Sequence, residues 1–365
     1  MQHLPLTMKA VLLLGHGGFE QLEYRENVPV PTPGPGEVLV RVGAAGVNNT
    51  DINTRTGWYS RTVSEGTTAG TAATGFAAAR AADSGWTGEA PQFPRIQGAD
   101  ACGRIVALGN GVSPARLGER VLIEPVFHAP AAGNRYQAIY FGSECDGAFA
   151  QFTRVPAAHA YKITSALTDT ELASFPCSYA AAENMLTRLS VARGEKLLIT
   201  GASGGVGSAA VQLARRRGAT VIAIANASKA AAVESLGAAR VLARDADLIA
   251  TLGAESVDAV VDVVGGAQFP ALLAALVRGG RYAVAGAIAG PLVALDLRTL
   301  YLKDLRLIGC TVLEPQVFGN LVGYLERGEI RPVIAGVHPL SEIVAAQREF
   351  LAKQHTGKIV LVPPP

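Results

Sequence analysis

Residues 197–207 read Leu-Leu-Ile-Thr-Gly-Ala-Ser-Gly-Gly-Val-Gly. An aliphatic run enters, glycines turn the chain, and a helical run, Val206–Arg217, leaves. Gly201 lets the chain turn, and Gly204 and Gly205 let the backbone approach a pyrophosphate. Gly207 lets the helix pack closely on the strand. Free N–H groups and the helix dipole then face the anion. Gly201, Ser203, Gly204, Gly205, Val206 and Gly207 are therefore the expected dinucleotide contacts. A second strand is expected over Thr220–Ala225, followed by a helix over Lys229–Leu236. Val257–Val264 is almost wholly apolar, as a strand buried on both faces requires. A helix over Gln268–Val277 and strands over Arg281–Ala285 and Leu305–Cys310 complete a doubly wound α/β parallel sheet.

The end of the second strand decides the cofactor. An enzyme that grips a ribose 2′-hydroxyl places an acid there. Here the residues are Ile224-Ala225-Asn226-Ala227-Ser228-Lys229, with no acid among them. A carboxylate repels a 2′-phosphate, whereas Ser228 and Lys229 can bind one, and Asn226 lies between them and the strand. NADPH is the expected cofactor. The competing reading of Lys229 is a solvent-facing helix residue.

The first 160 residues read as short strands: Ala10–Leu14, Glu37–Val42, Arg104–Leu108, Arg120–Ile123 and Phe149–Val155, with Pro29, Pro31, Pro33 and Pro35 as a stiff connector. This pattern suggests a β-rich, barrel-like domain. Residues 60–95 are rich in Ala, Thr, Gly and Ser with no clear period. They read as a solvated, mobile insertion or as a flap over a pocket. The 32 basic and 30 acidic residues nearly cancel, and the densest basic cluster is Arg215–Arg217, which argues against nucleic acid as a partner. Four scattered cysteines without a CxxC pair fit a reduced, cytoplasmic setting. No leader pattern or transmembrane span is expected.

The segments PGPGEVLVRVGAAGVNNTD, DGAFAQFTRVP, FPCSYAAAENML, GASGGVG and HTGKIVLVP occur in the sequence. Together they resemble the medium-chain dehydrogenase/reductase family, and most closely its zinc-independent, quinone oxidoreductase-like branch. The resemblance implies a GroES-like, β-barrel-type catalytic domain over 1–164 and 314–365, with 60–95 inserted, and a Rossmann domain over 165–313. The family's alcohol dehydrogenases hold zinc through Cys, His and Cys. Here Asn48 and Ala99 stand at the first two positions and only Cys177 remains, so no metal is expected. The structural-zinc lobe is also missing, since the 126–146 region has only Cys145.

The resemblance places Asn48–Tyr59 beside the nicotinamide. Asn48 and Asn49 are expected to orient the carboxamide or a substrate carbonyl, Tyr59 to donate a proton, and Trp58 to form an apolar wall. Asp51 is a further catalytic candidate, or pairs with Arg55 as a structural bridge, and Asp100 is expected to be a buried, hydrogen-bonded acid. Further cofactor contacts are expected at Val264, Gly265 and Gly266, at Gly286, Ala287 and Ile288, and at Lys358 in the tail. The family's usual Thr is replaced by Ala181, which removes one cofactor hydroxyl. Leu305–Cys310 resembles an edge strand that pairs two copies into a homodimer.

The expected activity is NADPH-dependent, zinc-free reduction of quinones or α,β-unsaturated carbonyl compounds. Hydride addition to a conjugated carbonyl spreads charge onto oxygen, where hydrogen-bond donors stabilise it without a Lewis acid. The alternatives are a zinc-independent alcohol or aldehyde dehydrogenase and a non-catalytic dinucleotide-binding protein.

Overall fold

A computed structural model describes residues 4–128 and 134–365. Six parallel strands form one sheet in the order 240–242, 220–224, 196–199, 257–262, 276–284, 306–309. The order reverses beside Lys196–Ile199, so the crevice for a ligand opens at the carboxyl ends of that strand and of Val257–Asp262. Leu197, Leu198, Ile199, Ala259, Val260 and Val261 are fully buried, because helices cover both faces. The helix Gly205–Arg216 packs against Pro176–Arg188 on one side of the sheet.

The rest of the chain builds a second, largely antiparallel sheet. Its strands run in the order 160–162, 120–123, 102–108, 37–46, 358–362, 334–339, with 152–156 also paired to 37–46. The chain thus leaves this sheet, makes the parallel sheet, and returns with Ile334–Pro339 and Lys358–Val362. Val360 and Leu361 pair with Gly46 and Ala45. This register sets Lys358 near Val47 and Asn48, at the head of the helix Asn49–Thr56. The fold is the expected α/β combination of a GroES-like domain and a Rossmann sheet. Element bounds shift by a few residues: the expected helix to Val277 stops at Ala275, and the following strand begins at Leu276.

Two expectations need correction. Residues 60–95 are packed and not merely solvated: Val63, Ala72 and Ser84 are buried, and a short helix spans Ala69–Thr74. The Thr67 amide donates to the Ile288 carbonyl at 3.0 Å, and Gly66 lies so close to the 288–290 backbone that a Cβ would overlap it. The segment therefore straps the two sheets together. Nor does Arg55 pair with Asp51. Its guanidinium is fully buried and donates to the carbonyls of Gly17 and Ala72, each at 2.9 Å, and to Gln347 Oε1 at 3.1 Å. It lies over the Phe19 ring at 4.5 Å, and burial pushes its pKa down to about 10.

Deleting residues 67–82 removes the Ala72 carbonyl from this guanidinium. An unmet buried group costs roughly 1–3 kcal/mol, and more when charged. The deletion should lower Tm by about 5 °C or more. An unchanged Tm by calorimetry contradicts the strap.

Candidate functional site

The glycine turn has the geometry of a phosphate cradle. Gly201 adopts φ +60°, in the left-handed region, and a Cβ on Gly207 would overlap the Gly201 carbonyl. Gly204 caps the helix without a side-chain hydrogen bond, so the first-turn amides of Gly205, Val206 and Gly207 have no acceptor within the helix. Ser203 is buried, and its carbonyl accepts from the Gly357 amide at 3.1 Å, which ties the tail to the turn.

At the end of the strand Val257–Asp262, sequence reading missed Asp262. This buried carboxylate accepts from Thr200 Oγ1 at 2.5 Å, from the Tyr282 hydroxyl at 2.6 Å and from the Val264 amide at 2.9 Å. The Gly265 amide also donates to it at 3.1 Å. Asp262 thereby shapes the loop through Val264 and Gly265, which has φ +65°. An acid closing the apolar run Ala259–Val261 is the available signal. Gly286 and Ile288, from the loop after the next strand, line a cleft together with Val263, whereas Val264 and Gly265 are not among its lining residues.

The ribose end differs from expectation. Asn226 and Ser228 are exposed, and the Asn226 side chain accepts from the Ser228 amide and hydroxyl, each at 3.0 Å. Lys229 is buried and does not point to solvent. Its ammonium donates to the carbonyls of Lys353 and His355, each at 2.6 Å, and so fastens the tail turn. Burial lowers its pKa. Lys353, which no local sequence signal marks, is half-buried and donates to Asn49 Oδ1 at 3.2 Å. Its pKa falls to about 7, first through burial and then through Lys229 and Arg244. His355 is lowered by burial and by the same two lysines. These groups repel one another, and a bound anion relieves that repulsion.

Between the two sheets lies a cleft of about 410 Å³. Asn48, Asn49, Tyr59 and Lys358 line it together with Gly205, Val206, Gly286 and Ile288. Asp51 does not line it. Its Oδ2 accepts from the Asn48 amide at 2.7 Å and its Oδ1 from the Gly98 amide at 3.3 Å, so it caps the helix Asn49–Thr56. Burial pushes its pKa up to about 7, against those amides and Lys358. Tyr59 is half-buried and its hydroxyl lies near Thr50 and Asn53. Burial holds that hydroxyl well above its ordinary pKa.

Asn48 is not free to hold a ligand. Its Nδ2 donates to Asp100 Oδ2 at 2.8 Å and to the Gly46 carbonyl at 3.3 Å. Its Oδ1 accepts from Lys358 Nζ at 2.6 Å. Lys358 also donates to Asp100 Oδ2 at 2.6 Å and to the Val47 carbonyl at 3.0 Å. All three ammonium protons are thus placed within this network. The expected cofactor contact from Lys358 is reduced to its stem, since a Cβ on Gly205 would come within 3.0 Å of Lys358 Cδ. Asp100 Oδ1 accepts from the Cys177 amide at 2.5 Å.

These residues do not fit zinc. An ammonium fills the space beside Asp100, the Asn48 amide is spent, and burial holds the Cys177 thiol far above its ordinary pKa, whereas zinc wants thiolate. No group of three or more His, Cys, Asp or Glu side chains suited to a metal occurs among the described residues. The glycine turn, with its open helix amides, does fit a dinucleotide.

Comparison with known proteins gives matches to two family models. The alcohol dehydrogenase GroES-like domain covers residues 34–165, and the zinc-binding dehydrogenase model covers 205–327. A Sinorhizobium meliloti protein assigned to the alcohol dehydrogenases is 45% identical, with TM-score 0.89, over 100% of this chain and 99% of its own. Acryloyl-coenzyme A reductase of Metallosphaera sedula is 27% identical, over 97% of this chain and 99% of that protein. Human quinone oxidoreductase is 26% identical, over 97% and 98%. Two matched domains in the right order, a dinucleotide cradle at the switch of a six-stranded parallel sheet, and full-length relatives make one conclusion: this chain is an oxidoreductase of the nicotinamide-dependent medium-chain dehydrogenase/reductase family.

Proposed function

We propose that the protein is an NADPH-dependent, zinc-free reductase of quinones or α,β-unsaturated carbonyl compounds. The observation that carries this reading is the Lys358–Asn48–Asp100 network, built from Asn48 and the residue after Ala99, the two positions where the resemblance puts metal ligands. With no Lewis acid to draw charge from an alkoxide, simple alcohol oxidation lacks its electrophile. A conjugated carbonyl needs none, because hydride addition at carbon leaves an enolate that hydrogen-bond donors can hold. Full-length relatives named acryloyl-coenzyme A reductase and quinone oxidoreductase support the same class.

The bound nicotinamide supplies the hydride. The amides of Gly205, Val206 and Gly207 hold the pyrophosphate, and Val264, Gly265, Gly286 and Ile288 shape the wall along the rest of the cofactor. Tyr59 keeps its proton through the neutral range, since burial raises its pKa, and gives it to the developing enolate. Asn48 and Asp51 act as positioning residues: one holds the ammonium, the other the helix cap. A homodimer through the strand Arg306–Gly309, at the edge of the parallel sheet, completes the reading, with a cytoplasmic location.

The 2′-phosphate site comprises Ser228 and Asn226 at the strand end, with Lys353 as its cation and Lys229 as the clamp that holds Lys353's turn. Charged hydrogen bonds contribute roughly 1.5–3 kcal/mol, so NADPH should bind about 10–100-fold more tightly than NADH. Lys353→Ala should remove most of that preference and leave NADH affinity unchanged.

The pH dependence follows from the lowered pKa of Lys353, about 7 in the free protein. Below that pH the ammonium is already charged. Above it, binding a 2′-phosphate must take up a proton, so affinity falls. Titrations should show NADPH Kd rising by about tenfold between ~pH 6.5 and ~pH 8.5, with NADH Kd level. A level NADPH curve contradicts the assignment.

The reaction itself is tested by NADPH oxidation over a panel of quinones, enones, aldehydes and alcohols. Turnover should be confined to the first two classes. Tyr59→Phe should lower kcat by about 100-fold, the low end for a general acid, with KM for NADPH unchanged. Full activity of that variant removes Tyr59 from the chemistry.

A further inference from the structure

The outer side of the cleft is aromatic, and its charge is committed. Trp86, carried by the 60–95 strap, stacks on Tyr140 with centroids 4.4 Å apart and planes at 12°. It is also nearly parallel to Tyr59, at 6.0 Å and 9°, and Trp58 meets Tyr59 edge-on at 5.6 Å. Trp58, Tyr59 and Trp86 all line the cleft. The Trp58 indole donates to the Glu65 carbonyl at 3.0 Å, so this ring is fixed by the strap as well.

Among the described residues lining the cleft, Lys358 is the sole charged side chain, and its protons are placed within the network with Asn48 and Asp100. A neighbouring groove that shares Trp86 and Thr311 with the cleft is lined by Thr87, Glu89, Gln137 and Arg188, and on its other side by Leu307–Gly309 of the strand proposed to pair two copies. There Arg188 donates to the carbonyls of Gly309 and Val312 and pairs with Glu314, while Glu89 adds negative charge. A ligand with phosphate groups finds no uncommitted cation among these described residues. A flat, uncharged ring system instead meets an aromatic wall of Trp58, Tyr59 and Trp86, which favours offset or edge-on packing.

We propose that Trp86 selects the substrate, and that the cleft takes planar, uncharged conjugated ketones or quinones with fused or aryl rings in preference to thioesters of coenzyme A. The proposal rests on the reductase reading above and deepens it.

Binding to protein loaded with NADP⁺ requires no turnover, so it separates the two. Calorimetric titration should show 9,10-phenanthrenequinone binding more tightly than crotonyl-coenzyme A. Trp86→Ala should weaken the quinone by about tenfold, from lost stacking and burial, and leave the thioester unchanged. Trp86→Phe should retain quinone affinity within about threefold. If the alanine variant fails to fold, Trp86→Leu keeps the apolar bulk without a π-face and should show the same loss. Equal losses for both ligands, or tighter binding of the thioester, overturn the proposal. Quinone binding that depends on Trp86 without NADPH oxidation defeats the reductase reading and leaves this one standing.

Discussion

The arrangement of the cleft depends on one buried ammonium. Lys358 lies 2.6 Å from both Asp100 and Asn48, and neither it nor Asp100 is appreciably exposed. A buried charge left without its partner costs about 3–5 kcal/mol, so each member holds the others in place. The consequences extend outward. Asp100 also accepts from the Cys177 amide, near the start of the long helix Pro176–Arg188 that packs on the Rossmann domain. Lys358 begins the last strand, whose pairing with 37–46 sets the position of Asn48. One network thus ties the returning tail, the helix Asn49–Thr56 and the helix Pro176–Arg188 into a fixed cleft.

A metal in the same place would do two things: hold the protein together and act on the substrate. On the proposed reading, the lysine network takes the first role alone, because its three N–H groups are consumed by the protein. On the reading proposed above, the proton comes from Tyr59, at the aromatic side of the cleft, and specificity rests with the strap, whose backbone crosses from Trp86 beside Tyr140 to Gly66 and Thr67 against Ile288. Its close contact at Gly66 admits no side chain, which explains a glycine in a stretch otherwise without local structure signals.

The doubly wound sheet was legible because its determinants are local. Gly201 needs a positive φ, Gly207 needs to lack a Cβ, and both needs are written into adjacent residues. The aliphatic run Lys358–Val362 likewise forms a strand. The tail's role was less legible, since what Lys358 touches lies more than 250 residues away in sequence. Lys229 escapes sequence reading for the same reason: its place just after the second strand suggests a 2′-phosphate ligand, but the carbonyls of residues 353 and 355 draw it inward. Arg55 was assigned to a nearby carboxylate, whereas its partners are two carbonyls and a glutamine from separate segments. Residues 60–95 looked mobile because few of them are aliphatic. Their order comes instead from backbone hydrogen bonds, from side-chain bonds of Arg55, Ser60, Thr62 and Ser84, and from one indole, which no periodicity reveals.

On the proposed reading, an internal lysine and not a metal completes this site. Metal analysis by plasma mass spectrometry, on protein purified without chelators and with zinc in the growth medium, tests that reading. Zinc should stay well below one equivalent per chain, with NADPH-dependent enone reduction unaltered by prolonged dialysis against a strong chelator. One firmly held zinc per chain, lost together with activity on dialysis and restored with it, would contradict it.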